Sequence, residues 1–381
     1  MDFGWTEEQK QFHETVVTFA QRELNDDIAE SDEAHQFRPD AWKKCAAFGL
    51  PGLPVPEQYG GSGADIPTVA LALEGLGYGC RDNGLIFSLN AHMWSCQLPV
   101  LKSGTEDQKR RYLPGLCDGS LIGVQGMTEP ESGSDALALR TSAVRRGDRY
   151  VLNGTKTFIT NAPVAGLFVV FATTDPTRGF AGLSAFLVER DAPGLTIGTT
   201  FHKMGLHTSP MSELVFDDCE VGDDAVLGRA GAGMAIFNAS MEWERSFILA
   251  ASVGTMQRQL ERCVAYARQR RQFGQPIGKF QAVSHRIVDM ALRVKTARLM
   301  LYELAWLKEQ GRSTAMESAM VKLWLSECFV QCSLDALQVQ GAFGYMVESE
   351  IERDVRDALA GRIYSGTSDI QRNIVASRLR L

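Results

Sequence analysis

The hydrophobic period of this chain changes twice, and those two changes limit its architecture more than any other feature. Up to about residue 120, apolar residues fall at helical spacing in 8–24, 41–48, 68–76, 83–101 and 108–113. A helix that buries one face must repeat its apolar positions every three or four residues. From about Leu121 the pattern becomes short β-branched and aromatic runs at 149–152, 157–160, 167–172, 185–188 and 212–216, separated by turn residues such as Asn153 and Gly154. After Gly228 the helical spacing returns in 235–271, 280–310 and 314–340. This order predicts an α+β fold in three parts: a helical domain over 1–120, a small antiparallel β domain over 121–228 and a helical domain over 229–381. The prolines and glycines of 53–63 forbid a helix and place an extended surface loop inside the first domain.

Composition narrows the function. With 381 residues, 45% hydrophobic and 22% charged, the chain has ordinary globular proportions and length for a shared core. A net charge of -7 argues against nucleic acid as a partner, because phosphate backbones demand clustered excess cations. The basic runs 109–111 and 268–271 could meet an acidic partner, although solvated helix faces are the commoner meaning of such runs. The first ten residues lack the basic end and apolar core of a secretory signal, and no apolar run reaches transmembrane length, so a soluble cytoplasmic protein is expected. Eight cysteines form no Cys-x-x-Cys pair and six histidines are scattered, which predicts reduced, buried thiols and no metal site.

In the stretch 237–248, read at roughly 100° per residue, Phe237, Met241, Glu244 and Ile248 fall within roughly 60° of one another. A carboxylate thus sits inside an apolar stripe. Desolvation raises its pKa, which suits a general base working near neutral pH, and Arg245 beside it is placed to orient or partly neutralise it. Glu242 falls off the stripe. The alternative is a carboxylate near a helix start that answers local backbone donors.

The glycines of 228–233 are in the wrong order for a dinucleotide loop and lack a strand-helix-strand context. Residues 128–135, TEPESGSD, cluster hydroxyls and backbone N–H groups around a glycine, equipment for a heteroaromatic edge or a pyrophosphate. Together with 153–163 (NGTKTFITNAP), 270–281 (RRQFGQPIGKFQ) and 356–372 (RDALAGRIYSGTSDIQR), in this order, it resembles the acyl-CoA dehydrogenase family of flavoproteins, from about Phe3 to the C-terminus. The resemblance implies a helical N-terminal domain, a central antiparallel β domain and a C-terminal four-helix bundle, with FAD between the last two and a homotetramer or dimer.

Carried over residue by residue, the resemblance puts Thr128 and the backbone near Met127 on the flavin pyrimidine edge and Ser134 on the pyrophosphate. Phe158 would pack against the ring, and Thr160 would sit at N5. Arg270, Gln272 and Phe273 would grip the pyrophosphate and adenine end from an adjoining subunit, joined by Gln338, Gly341, Thr367 and Asp369. A forked arginine contact suits a diphosphate.

One departure concerns the base. Where many family members carry a glutamate before Gly-Thr-Ser, this chain has Ser365. It is similar instead to the isovaleryl- and long-chain-type members, which place the base on an earlier helix in a Glu-Arg pair matching Glu244 and Arg245. Ser365 would still offer its backbone N–H to the thioester carbonyl as part of an oxyanion hole. Trp243, Phe247 and Phe158 would wall a narrow apolar slot for the reacting bond, although aromatic residues at such spacing are usually core. The segments 81–92, 160–165, 240–245 and 363–369 look most like the branch that oxidises aminoacyl groups on carrier proteins, notably prolyl-carrier-protein dehydrogenases of natural-product pathways. Residues 341–345 and Glu242 depart from that branch. The expected activity is α,β-dehydrogenation of a carrier-bound thioester, with a short or branched acyl-CoA as the first rival substrate and a non-catalytic flavin-binding assembly partner as the second reading. Electrons would leave to an electron-transfer flavoprotein or to oxygen.

Overall fold

The computed structural model describes residues 4–381. The helical beginning contains α1 (Glu7–Glu23), α2 (Ile28–Glu33), α3 (Pro39–Ala47), α4 (Ile66–Gly79), α5 (Asn83–Ala91), α6 (Leu98–Ser103) and α7 (Glu106–Cys117). Reciprocal caps start two of them, Thr6 with Gln9 on α1 and Thr105 with Gln108 on α7, which satisfies backbone donors that a helix start leaves open. Between α5 and α6 the chain passes through a π-helical segment, His92–Gln97. His92 is fully buried there: its Nδ1 accepts the Gly123 N–H at 2.9 Å, so its Nε2 carries the proton and donates to Leu116 O at 2.8 Å. Burial pushes its pKa down to about 4, which keeps this link neutral.

The sheet comprises β1 (Gly123–Gly126), β2 (Ser142–Arg146), β3 (Arg149–Thr160), β4 (Leu167–Thr173), β5 (Leu183–Glu189), β6 (Leu195–Ile197), β7 (Met211–Gly222) and β8 (Val226–Leu227). Its order is β6-β7-β3-β2-β4-β5-β8, antiparallel except that β1 and the first residue of β2 lie parallel to β4. β4 is apolar at every position from Leu167 to Ala172 because both of its faces are covered. Leu167, Val169 and Phe171 join a core with α7 and Met234, while Phe168 and Val170 join a second with Leu214 and Phe216. The β3/β7 register slips between Lys156 and Ile159. At that slip Phe158 takes φ +57° and turns outward, although its neighbours Thr157 and Ile159 are buried.

The helical end begins with α8 (Gly233–Phe247) and α9 (Ala250–Gln269). The sequence period treats 235–271 as one segment, whereas the helix loosens for a turn at Ile248 and Leu249. A two-stranded hairpin, β9 (Arg271–Gln272) and β10 (Gln275–Pro276), follows, then α10 (Gln281–Glu309), α11 (Ala315–Gln340), α12 (Ala342–Tyr345), α13 (Ile351–Ala360) and α14 (Ser368–Leu379). First and last helical parts share one core, in which Leu73, Leu76 and Trp94 pack with Phe247, Val253, Met290, Leu301 and Leu325. Glycines allow the closest approach: a Cβ at Gly77 would overlap Ala251 O, and one at Gly254 would overlap Glu74 O, so α4 and α9 meet backbone to backbone. All eight cysteines are buried and free. Among the described residues no helix is long and apolar enough to cross a membrane, and no cluster of His, Cys, Asp and Glu is built to hold a metal ion.

Candidate active site

The stripe on α8 that the sequence marks is real but divided. Phe237 and Met241 face the sheet, where Phe237 meets Phe171 edge-on at 5.5 Å, while Ile248 is buried in the helical core. Glu244 lies between them, half-buried. Its Oε1 accepts the Ser365 hydroxyl at 2.5 Å. Burial pushes the Glu244 carboxyl above the usual range, and the Ser365 hydroxyl, the Arg245 guanidinium and the Lys322 ammonium draw it only part of the way back. Such a carboxyl, once ionised, holds a poorly solvated charge, the condition of a competent proton acceptor.

Arg245 does not clasp Glu244 directly. Its Nε donates to Ser365 O at 3.3 Å, so it holds the turn that carries the serine. Ser365 and Gly366 are both left-handed, at φ +56° and +86°. Gln371 Nε2 donates to both of their carbonyls, at 3.2 and 2.7 Å, and Lys322 Nζ donates to Gly366 O at 2.7 Å. Tyr364, just before the turn, packs on Phe87 with centroids 4.5 Å apart. Glu242, off the stripe, pairs with Lys308 at 3.2 Å and accepts from Thr314 at 2.7 Å. Burial raises the Glu242 carboxyl, but these two partners outweigh it and the group is held below the usual range. Of the expected aromatic walls, Phe247 is fully buried against Trp94 and Trp243, with centroids at 5.1 and 6.1 Å. It is core. Trp243 is half-exposed, with Lys308 Nζ 4.4 Å from its ring centre.

The residues expected around a flavin fall into two groups. Met127, Thr128, Ser134, Phe158 and Thr160 lie along the sheet and the loop after β1. Phe158 is 62% exposed, touching Phe201 at 5.6 Å. The hydroxyls of Thr128, Ser134 and Thr160 bond no other group of the chain among the described residues. An exposed ring in a strained backbone state, beside unpaired hydroxyls, fits a flat polar heterocycle with a pyrophosphate. The loop is braced from behind. Glu129 accepts from Arg140 N at 2.6 Å, Thr141 N at 3.0 Å, the Thr141 hydroxyl at 2.5 Å and Lys156 Nζ at 2.7 Å, while Lys156 also reaches Met127 O at 3.2 Å. Lys156 is fully buried, and burial pushes it down to about 8 against the pull of Glu129. This pair escapes sequence reading, although a lysine at an inward position of β3 is a signal for it.

The second group belongs to the helical end. Arg270, Gln272 and Phe273 stand exposed on and beside the hairpin, whose two-residue tip, Phe273 and Gly274, has φ +48° and +80°. Phe273 is 93% exposed. Gln338 is exposed near the end of α11, which Gly341 terminates at φ +60°. The Thr367 hydroxyl caps α14 by accepting from Ile370 N at 3.2 Å, and Asp369, exposed in its first turn, pairs with Arg372. No hydrogen bond, ion pair or ring contact joins this group to the first within the described chain.

Three sequence-family profiles match the chain, described as acyl-CoA dehydrogenase N-terminal domain over residues 6–120, middle domain over 125–219 and C-terminal domain over 231–380. An L-prolyl-[peptidyl-carrier protein] dehydrogenase of Serratia sp. is 42% identical over 381 residues, 100% of this chain and 99% of that protein. Among solved structures, the prolyl acyl carrier protein oxidase AnaB is 49% identical with a TM-score of 0.98, covering 99% of this chain and 100% of that one. PigA with FAD and proline is 41% identical with a TM-score of 0.98, each chain covered completely at 100%.

Proposed function

Since the chain belongs to the acyl-CoA dehydrogenase family and is an FAD-dependent oxidoreductase acting on a CH–CH pair, we propose that its substrate is a prolyl or similar aminoacyl thioester on a carrier protein. The kinship with prolyl-carrier-protein dehydrogenases supports this substrate class. In this reading Glu244 removes the α-proton, and the observation that carries it is the Glu244 carboxyl raised by burial and set against the Ser365 hydroxyl at 2.5 Å. When bound, FAD supplies the acceptor for the β-hydride. Thr128, Ser134, Phe158, Thr160 and the backbone near Met127 would hold it from the sheet side. Arg245 keeps the Ser365 turn in place, and the Ser365 N–H serves the thioester carbonyl, where a fixed donor stabilises the charge that develops as the proton leaves.

The second group of cofactor residues points to a neighbouring copy. Phe273 projects from a two-residue hairpin tip, and Val288, Leu292, Leu299 and Trp306 form one exposed stripe along α10, spaced by four and seven residues. Exposed apolar area of this extent marks an interface. In a homotetramer, Arg270, Gln272, Phe273, Gln338, Gly341, Thr367 and Asp369 would complete the partner's FAD site. The reduced, buried cysteines fit work in the cytoplasm, with an electron-transfer flavoprotein or oxygen taking the electrons.

The experiment is anaerobic flavin bleaching by an L-prolyl group on a peptidyl carrier protein, compared with the same group and a short acyl group on CoA. Faster bleaching by the carrier-bound thioester is the expected result. Equal or faster bleaching by a CoA ester would move the substrate assignment to acyl-CoA.

A further inference from the structure

Lys322 stands in α11 with its side chain fully enclosed. Its ammonium has one hydrogen bond, to Gly366 O at 2.7 Å, and a ring partner in Tyr364 at 5.8 Å. Enclosing an ammonium on so few partners is unfavourable, and the neighbouring Arg245 charge makes it more so. A methionine would fill the same space without that penalty. What the ammonium does for the molecule lies at the turn it touches.

Ser365 and Gly366 follow one another in the left-handed region, a state that a non-glycine residue keeps only when its surroundings force it. Arg245 on α8, Lys322 on α11 and Gln371 on α14 hold the two carbonyls of this turn from three different helices. Turning both carbonyls onto these donors fixes where the Ser365 side chain goes, which is onto Glu244. The geometry is completed by charge. Glu244 faces Arg245 from its own helix, Ser365 and Tyr364 from the turn, and Lys322 from α11. Lys322 faces Arg245, Glu244 and Glu327, the last already paired with Arg362 at 2.6 Å and Ser368 at 3.0 Å. Tyr364 in turn faces Asp357.

We propose that Lys322 is a positioning residue for the base: it anchors the left-handed turn through Gly366 O and, with Arg245, sets positive charge opposite the Glu244 carboxylate. The inference rests on the reading of Glu244 as the proton acceptor. Burial pushes Lys322 itself down to about 7, so its charge is present below neutrality and is lost as pH rises above it.

Two variants of the flavin-loaded protein, Lys322→Met and Lys322→Gln, separate charge from anchoring, because glutamine keeps an N–H donor for Gly366 O. The Glu244 carboxyl is titrated by infrared difference spectroscopy, its band identified by its loss in Glu244→Gln, and the pH profile of flavin bleaching by the prolyl carrier thioester is recorded beside it. Both variants are expected to titrate about one pH unit higher, a tenfold change in proton affinity. Lys322→Gln is expected to keep its high-pH rate, and Lys322→Met to lose about tenfold or more. An unmoved infrared titration in Lys322→Gln overturns the proposal, whether or not Lys322→Met folds. If the infrared titration moves and the bleaching profile does not, Lys322 governs that carboxyl but Glu244 is not the base, so the two readings fail separately.

Discussion

Ser365 and Glu244 meet across 121 residues of sequence, hydroxyl to carboxylate at 2.5 Å. The turn before α14 thus supplies a hydrogen-bond donor to a glutamate on α8. Removing the donor in Ser365→Ala leaves burial less opposed, so the Glu244 pKa rises further. Because the base acts when ionised, the acid limb of the rate profile is expected to move to higher pH by about one unit, with the rate lost mainly on the acid side. Stopped-flow bleaching across pH checks this, and a uniform loss at all pH values would contradict it.

Phe158 has a left-handed backbone and an exposed ring, so the chain alone gains little from it. Phe158→Gly relieves strain of about 1–3 kcal/mol. The FAD-free protein is expected to melt at the same or a higher temperature, while the ratio of flavin to protein after gel filtration falls. A lower Tm without flavin would mean that the ring serves the fold.

Phe273→Asp places a charge at the hairpin tip, where 93% of the residue is exposed. Folding of one chain is expected to change by less than about 0.5 kcal/mol, as for other surface sites. Light scattering is expected to show a smaller assembly and absorbance a lower flavin content. An unchanged mass with full flavin would remove this hairpin from the interface.

Asp357 joins three parts of the chain, accepting from Leu206 N at 2.5 Å and from Asn83 at 3.1 Å. Burial pushes its pKa up to about 7, against the pull of those two donors. A carboxyl raised in this way binds its proton more tightly folded than unfolded, so its contribution to stability falls as pH rises from about 4 to 7. The unfolding free-energy advantage of the wild type over Asp357→Asn, measured by urea unfolding at each pH, is therefore expected to shrink as pH rises through that window, by up to about 1.4 kcal/mol per unit. An advantage that grows with pH would contradict the assignment.

Helical periodicity singled out Glu244 because one carboxylate in an apolar stripe is a local signal that survives folding. The three-part order of elements was legible for the same reason. Lys156, Lys322 and Gln371 were not, because a long polar side chain near apolar residues ordinarily carries its head to water, and only tertiary contacts reveal that these are enclosed. The hairpin at 271–276 was also hidden: its tip is Phe273 and Gly274 rather than an asparagine-glycine pair, and nothing local announces a phenylalanine at φ +48°. The residues proposed for the flavin edge came from family resemblance rather than from pattern. The direct bond of the Ser365 hydroxyl to Glu244 lay beyond both, since resemblance suggested only the backbone N–H of that serine.

The most direct test replaces Glu244 with Gln in the flavin-loaded protein and follows bleaching by the L-prolyl carrier thioester under anaerobic conditions. The expected result is a yellow protein with unchanged Tm and a bleaching rate lower by about 10²–10⁴-fold, the usual contribution of a general base. Bleaching at the wild-type rate would contradict the account.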